Sequence, residues 1–189
     1  MKITPNYLKT FAVVLSALSG LILAVGVYED AFVYFGAIYA LFMTPVIGWI
    51  LYEKYAVSFK TGLLIVLWLL AGTGSWYAAA VVVIGFMDMF QSMLFTVALA
   101  SLVGFSVLWL YVAVLTWSLN FWVYLKKALG VAVLAAACVW VAIATGDEFD
   151  GFLDSASIDI IHVVWQAFVS YLIVAQLVKV QPGKTHPSD

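Results

Sequence analysis

Four polar side chains recur along the last apolar segment: Asp159, His162, Gln166 and Ser170, at i, i+3, i+7 and i+11. At about 100° per residue they fall within an arc of about 80° on a helix. A carboxylate, an imidazole, an amide and a hydroxyl in that order are the parts of a proton or ion path. Asp159 would gate its mouth, His162 would change charge near neutral pH, and Gln166 and Ser170 would serve as hydrogen-bonding rungs. The same stripe has a structural use. Asp159 in a first turn suits the positive end of a helix, while His162 and Gln166 can bond a neighbouring helix. At this level both uses stand.

A second group is Gly72-Thr73-Gly74-Ser75, near the middle of the third apolar segment. Two glycines and two hydroxyls can loosen or break a helix, and irregular backbone in a membrane is tolerated only inside protein or beside a water-filled cavity. Thr73 and Ser75 therefore join the pathway-lining candidates, with close helix packing as the other use. Asp88 is the remaining candidate. Asp88-x-x-Gln91 before an apolar run is a capping-box pattern, so Asp88 is expected first as a helix cap and second as a group at a pathway mouth.

Enzyme signatures are incomplete. Gly72–Ser75 reads GxGS where intramembrane serine proteases use GxSG. The chain has no arginine, so a CDP-alcohol phosphotransferase motif cannot be assembled. Asp159 and His162 are two ligands, too few for a protein-built metal site. A single cysteine, Cys138, excludes an internal disulfide, and two histidines exclude a bis-histidine haem stack within the membrane. The acidic run Asp147, Glu148, Asp150 and Asp154 lacks the spacing and closing glutamate of a calcium loop. No catalytic residue, metal or cofactor is expected.

The elements that must position these groups follow from composition. Of 189 residues, 66% are hydrophobic and 10% charged, and the mean hydropathy is +1.13. A soluble domain runs at about 45–50% apolar and about 25% charged. Soluble globular, disordered and nucleic-acid-binding chains are thereby excluded. A span needs about 20 apolar residues, and six such segments can be read, at approximately 7–28, 31–52, 61–85, 89–117, 128–145 and 158–180. The expected fold is all-α: a single polytopic domain over 1–180, a six-transmembrane-helix bundle, with a short disordered cytoplasmic tail at 181–189.

Charge sets the orientation. With the N-terminus inside, the inner segments carry Lys2, Lys9, Lys54, Lys60, Lys126, Lys127, Lys179 and Lys184, every basic residue in the chain. All obey the positive-inside rule, so both termini are placed in the cytoplasm and the protein in the cytoplasmic (inner) membrane. Lys2 and Lys9 before Phe11–Val27 also resemble a signal peptide, but the run is long for one and is read as a span. No charge occurs from Met89 to Leu125. The fourth helix is expected to exit near Trp117, leaving Asn120, Trp122 and Tyr124 in the interface.

Small residues at every fourth position let helices approach closely. Such ridges are Ala12, Ser16, Gly20 and Ala24 in the first span, and Gly36, Ala40, Thr44 and Gly48 in the second. The fourth has Ser92, Thr96, Ala100 and Gly104, and the fifth Ala128, Ala132 and Ala136. Pro45 predicts a kink in the second span.

Size and span number resemble those of bacterial acetate-uptake transporters and urea channels. The Asn-Pro-Ala-Pro start of the former is replaced here by Thr4-Pro5-Asn6-Tyr7, so no family is assigned. The expected function is to move, or help move, a small solute or ion. The alternative is a non-catalytic membrane subunit: an assembly, immunity or exclusion factor, or an accessory chain of a larger complex. Expected partners are membrane lipid and either further copies of the chain or a membrane complex, with no nucleic acid.

Overall fold

The structure, a computed structural model, describes residues 4–25, 34–90, 93–117, 120–144 and 156–179, with side chains except at 23–25, 87–90, 93, 142–143 and 156–162. Among the described residues are six helices: α1 (Pro5–Val25), α2 (Phe35–Tyr55), α3 (Phe59–Phe90), α4 (Met93–Thr116), α5 (Phe121–Ala144) and α6 (Ala156–Lys179).

Two boundaries differ from those read in the sequence. α5 begins at Phe121, not near residue 128, because Asn120 caps it: the side-chain carbonyl accepts from the Val123 N–H at 3.1 Å and the backbone carbonyl from the Tyr124 N–H at 3.0 Å. Trp122 and Tyr124 thus belong to a helix. α3 runs on to Phe90, so the backbone of Asp88 lies inside its last turn, and α4 starts at Met93. An apolar run carries little to mark where one helix stops and the next starts, so helix limits and span limits need not coincide.

The turn between α2 and α3 is closed by local bonds. The Ala56 N–H returns to the Tyr52 carbonyl at 2.9 Å, Ser58 Oγ accepts from the Thr61 N–H at 3.2 Å, and the Thr61 hydroxyl donates to the Ala56 carbonyl at 2.7 Å. Ser58 is thereby the N-cap of α3. Ala56 turns the chain at φ 56° and ψ −169°, a region that is essentially glycine's.

Antiparallel pairing builds the bundle. Along α1 and α6, Ser16 meets Ser170, Ser19 meets Gln166 and Gly20 meets Val163. α3 lies between α2 and α4, and α6 packs on α1, α5, α4 and α2. Met43, Ile47, Trp68, Phe105, Leu108 and Ile173 fill the interior. The ends bearing Lys54 and Lys60 lie beside the end of α4, through Tyr55 and Leu115. The start of α5 lies beside the end of α6, through Lys127 and Gln176. All six described lysines, Lys9, Lys54, Lys60, Lys126, Lys127 and Lys179, therefore gather at one end.

Stretches of four helices are long and apolar enough to cross a membrane (Phe35–Tyr55, Phe59–Phe86, Leu94–Thr116 and Phe121–Val141), and α6 adds the shorter Val163–Lys179. Their outward faces are apolar too, with Leu63, Val66, Leu70, Tyr77, Val81 and Ile84 exposed along α3. Water does not tolerate so continuous an apolar face on a monomer. Long apolar helices with apolar outsides suggest a membrane protein.

Candidate functional site

The polar stripe of α6 enters the bundle where α1 and α2 meet it. Gln166 and Ser170 are both fully buried, as are Ser16 and Ser19 of α1 and Tyr39 of α2. Ser16 Oγ lies 2.5 Å from Ser170 Oγ and 3.1 Å from the Met43 sulfur. The Tyr39 hydroxyl bonds Ser170 Oγ from the other side at 2.8 Å. One turn toward the start of α6, the Ser19 hydroxyl lies within donating distance of Gln166 Oε1, at 2.8 Å, and of its own helix's Ser16 carbonyl, at 2.7 Å. Three helices are joined by hydroxyls and one amide, in an interior where an unpaired polar group costs about 1–3 kcal/mol.

The helix geometry makes this arrangement follow from the sequence. Ser16 and Ser19 are three apart and Gln166 and Ser170 four apart, so each pair lies on one face. Antiparallel packing then sets Ser16 against Ser170 and Ser19 against Gln166. Gly20 permits the close approach, since a Cβ there would stand 2.9 Å from the Val163 Cα. Asp159 and His162 continue the stripe in the first turns of α6, but their side chains lie outside those described.

The Gly72–Ser75 segment is unbroken α-helix. Its two glycines do different things. Gly72 faces Ala40 of α2, and a Cβ on Gly36 would stand 2.9 Å from both the Gly72 carbonyl oxygen and the Thr73 Cα. A Cβ at Gly74 would find its nearest neighbour, Val107 of α4, at an ordinary 4.0 Å. Ser75 is buried, returns its hydroxyl to the Gly72 carbonyl at 2.7 Å, and lies under Gly104 of α4. Thr73 is half-buried. The segment wedges α3 between α2 and α4 without loosening the helix.

The ridge residues sit as follows. Ala12, Ser16, Gly20, Gly36, Ala40, Thr96, Ala100 and Gly104 are buried, while Thr44 and Gly48 are half-buried. Thr44 bonds the Ala40 carbonyl, which also accepts from the Trp68 indole at 2.9 Å. In α5, Ala128 and Ala132 are buried and Ala136 half-buried; the buried seam runs on through Val131, Ala135 and Val139. The side chains of Ala24 and Asp88 lie outside those described, and Ser92 lies outside the described residues, as does the acidic run 147–154.

Several functional-looking groups were not singled out in the sequence. Tyr39 stands among many aromatics there, yet it anchors Ser170 and starts a buried ladder: its ring is 6.1 Å from Trp68, which lies 5.4 Å edge-on from Tyr111. Lys127, counted in the sequence among the inner lysines, is another. It is half-buried, with its ammonium 4.7 Å from the Trp109 ring, 3.2 Å from Gln176 Oε1 and 3.4 Å from the Leu172 carbonyl. A cation among acceptors near the C-terminal end of α6 is favoured by the helix dipole. The sequence holds no signal that separates it from Lys126, about 100° away on the same helix. Among the described residues the buried indole N–H of Trp165 in α6 meets no acceptor.

Among the described residues no three histidine, cysteine, aspartate or glutamate side chains come together in a way that could hold a metal ion. No family model matches the chain, and neither a curated protein nor a solved structure matches it.

Proposed function

We propose that this chain is a six-span protein of the cytoplasmic membrane, with both termini and the lysine-bearing end inside, acting as a non-catalytic membrane subunit. One observation carries this reading. The candidate pathway groups with described side chains take part in helix-to-helix contact: Gln166 and Ser170 are bonded to α1 and α2, and Ser75 is buried beneath Gly104. Satisfied buried polar networks make a core rigid and specific. A protein that assembles with, steadies or excludes another membrane protein needs that rigidity and an apolar outer face, which α3 and α5 supply.

Purification in mild detergent tests it. Stoichiometric recovery of an unrelated membrane chain supports the subunit reading; a stable homo-oligomer that carries a tracer in proteoliposomes overturns it.

Conduction of a small solute or ion is the second reading, and the α6 stripe favours it. Asp159 and His162 continue the face of Gln166 toward the opposite end from the lysines, so the Ser16–Ser170 and Ser19–Gln166 contacts would form a closed constriction. Under this reading, replacing Asp159, His162 and Gln166 by apolar residues abolishes flux. Unchanged flux removes it.

A further inference from the structure

The geometry points to a binding site for the phosphate headgroup of an anionic phospholipid at the α2–α3 turn, formed by Lys54 and Lys60 beside the Tyr55 ring. Lys60 Nζ stands 4.3 Å and Lys54 Nζ 5.7 Å from the centre of the same ring. The ring is tied in place, since the Tyr55 hydroxyl donates to the Leu115 carbonyl of α4 at 3.4 Å. The backbone between the two lysines is fixed by the bonds of Ala56, Ser58 and Thr61 described above. Both ammonium groups thus lie beside one ring at a fixed turn, where a single anion would relieve their mutual repulsion.

Within the described residues neither ammonium forms an ion pair, and the one acid at this end is exposed Glu53. The neighbouring side chains argue for lipid over a soluble anion. Val57 is 87% and Phe59 89% exposed, directly between the two lysines in sequence. Ammonium groups set beside exposed apolar side chains match the boundary between phosphate and acyl chain. A soluble phosphate would need the charges and leave the apolar pair unused. The inference rests on the membrane reading and is independent of whether the chain is a subunit or a conduit.

Native mass spectrometry of protein taken from nanodiscs of phosphatidylglycerol and phosphatidylcholine tests it. Wild-type protein is expected to retain phosphatidylglycerol preferentially. Lys54→Gln and Lys60→Gln should each lower that preference about fivefold, and the double variant about 25-fold, as follows from the usual contribution of one basic residue near an anionic surface. Lys126→Gln, at the same end but away from the turn, should lower it by clearly less than either. Equal loss in Lys126→Gln shows a diffuse charge effect and overturns the site, as does wild-type protein without a lipid preference. Displacement of the lipid by millimolar inorganic phosphate assigns the turn to a soluble anion and also overturns it. Release of the chain from membranes by carbonate would instead sink the membrane reading, a separate outcome.

Discussion

Ser16 and Ser170 are 154 positions apart in the chain, yet their hydroxyl oxygens are 2.5 Å apart in the fold, fully buried. The contact ties the first helix to the last, and Tyr39 extends it to the second. A hydroxyl in an apolar interior has few alternative partners, so this chain of groups defines how α1, α2 and α6 fit together. Hydrogen bonds between membrane helices contribute about 0.6–2 kcal/mol each.

Ser170→Ala strips Ser16 and Tyr39 of their shared partner. Stability should fall by about 1 kcal/mol, read as a lower midpoint of thermal unfolding in detergent by tryptophan fluorescence. Adding Ser16→Ala should cost less than its effect alone, because the two residues act as one unit. Strict additivity would show that the contact carries no coupling.

Glycines divide by their surroundings. Gly36→Ala places a methyl 2.9 Å from backbone atoms of α3, which rigid helices relieve only by separating. It should lower the unfolding midpoint by several degrees. Gly130→Ala meets nothing within 4 Å and should raise stability by about 1 kcal/mol through helix propensity. Similar midpoints for the two variants would contradict the α2–α3 contact described above.

Ala56 holds a backbone conformation that costs a side-chain-bearing residue about 1–3 kcal/mol. Ala56→Gly should recover part of this cost and raise the unfolding midpoint, whereas Ala56→Val should lower it. A destabilised glycine variant would argue against the turn geometry.

Topology can be read with one added thiol at a time, since Cys138 is the sole native cysteine. In a Cys138→Ala background, cysteines at Lys54 and Lys126 should both react with an impermeant maleimide from the cytoplasmic side only. A cysteine at Asp150 should react only from outside. Labelling of positions 54 and 126 from opposite sides would refute the antiparallel arrangement across the membrane.

The chain's apolar segments and lysine placement made the helical architecture legible, because a helix in lipid is written in runs of consecutive residues. Helix limits were less legible. Asn120 as a cap and the extension of α3 through Asp88 depend on a few local bonds within a continuous apolar run. The stripe on α6 was visible as a periodicity, and Ser16 as one small residue among several. Their meeting was not, since nothing in either segment states which helix lies opposite.

Sequence by itself thus determined an all-helical chain whose long segments suit hydrocarbon and whose lysines fall at alternate helix ends. Those properties are local, set by composition and by about 1.5 Å of rise per residue. The tertiary structure decided that Gln166 and Ser170 close onto Ser19 and Ser16, that Gly72 and Ser75 wedge α3 between α2 and α4, and that Lys127 lies half-buried beside Trp109. These depend on the rotation and pairing of helices. Lipid is as apolar as most of the side chains, so hydrophobicity ranks the possible pairings weakly, and close fit with a few hydrogen bonds makes the choice.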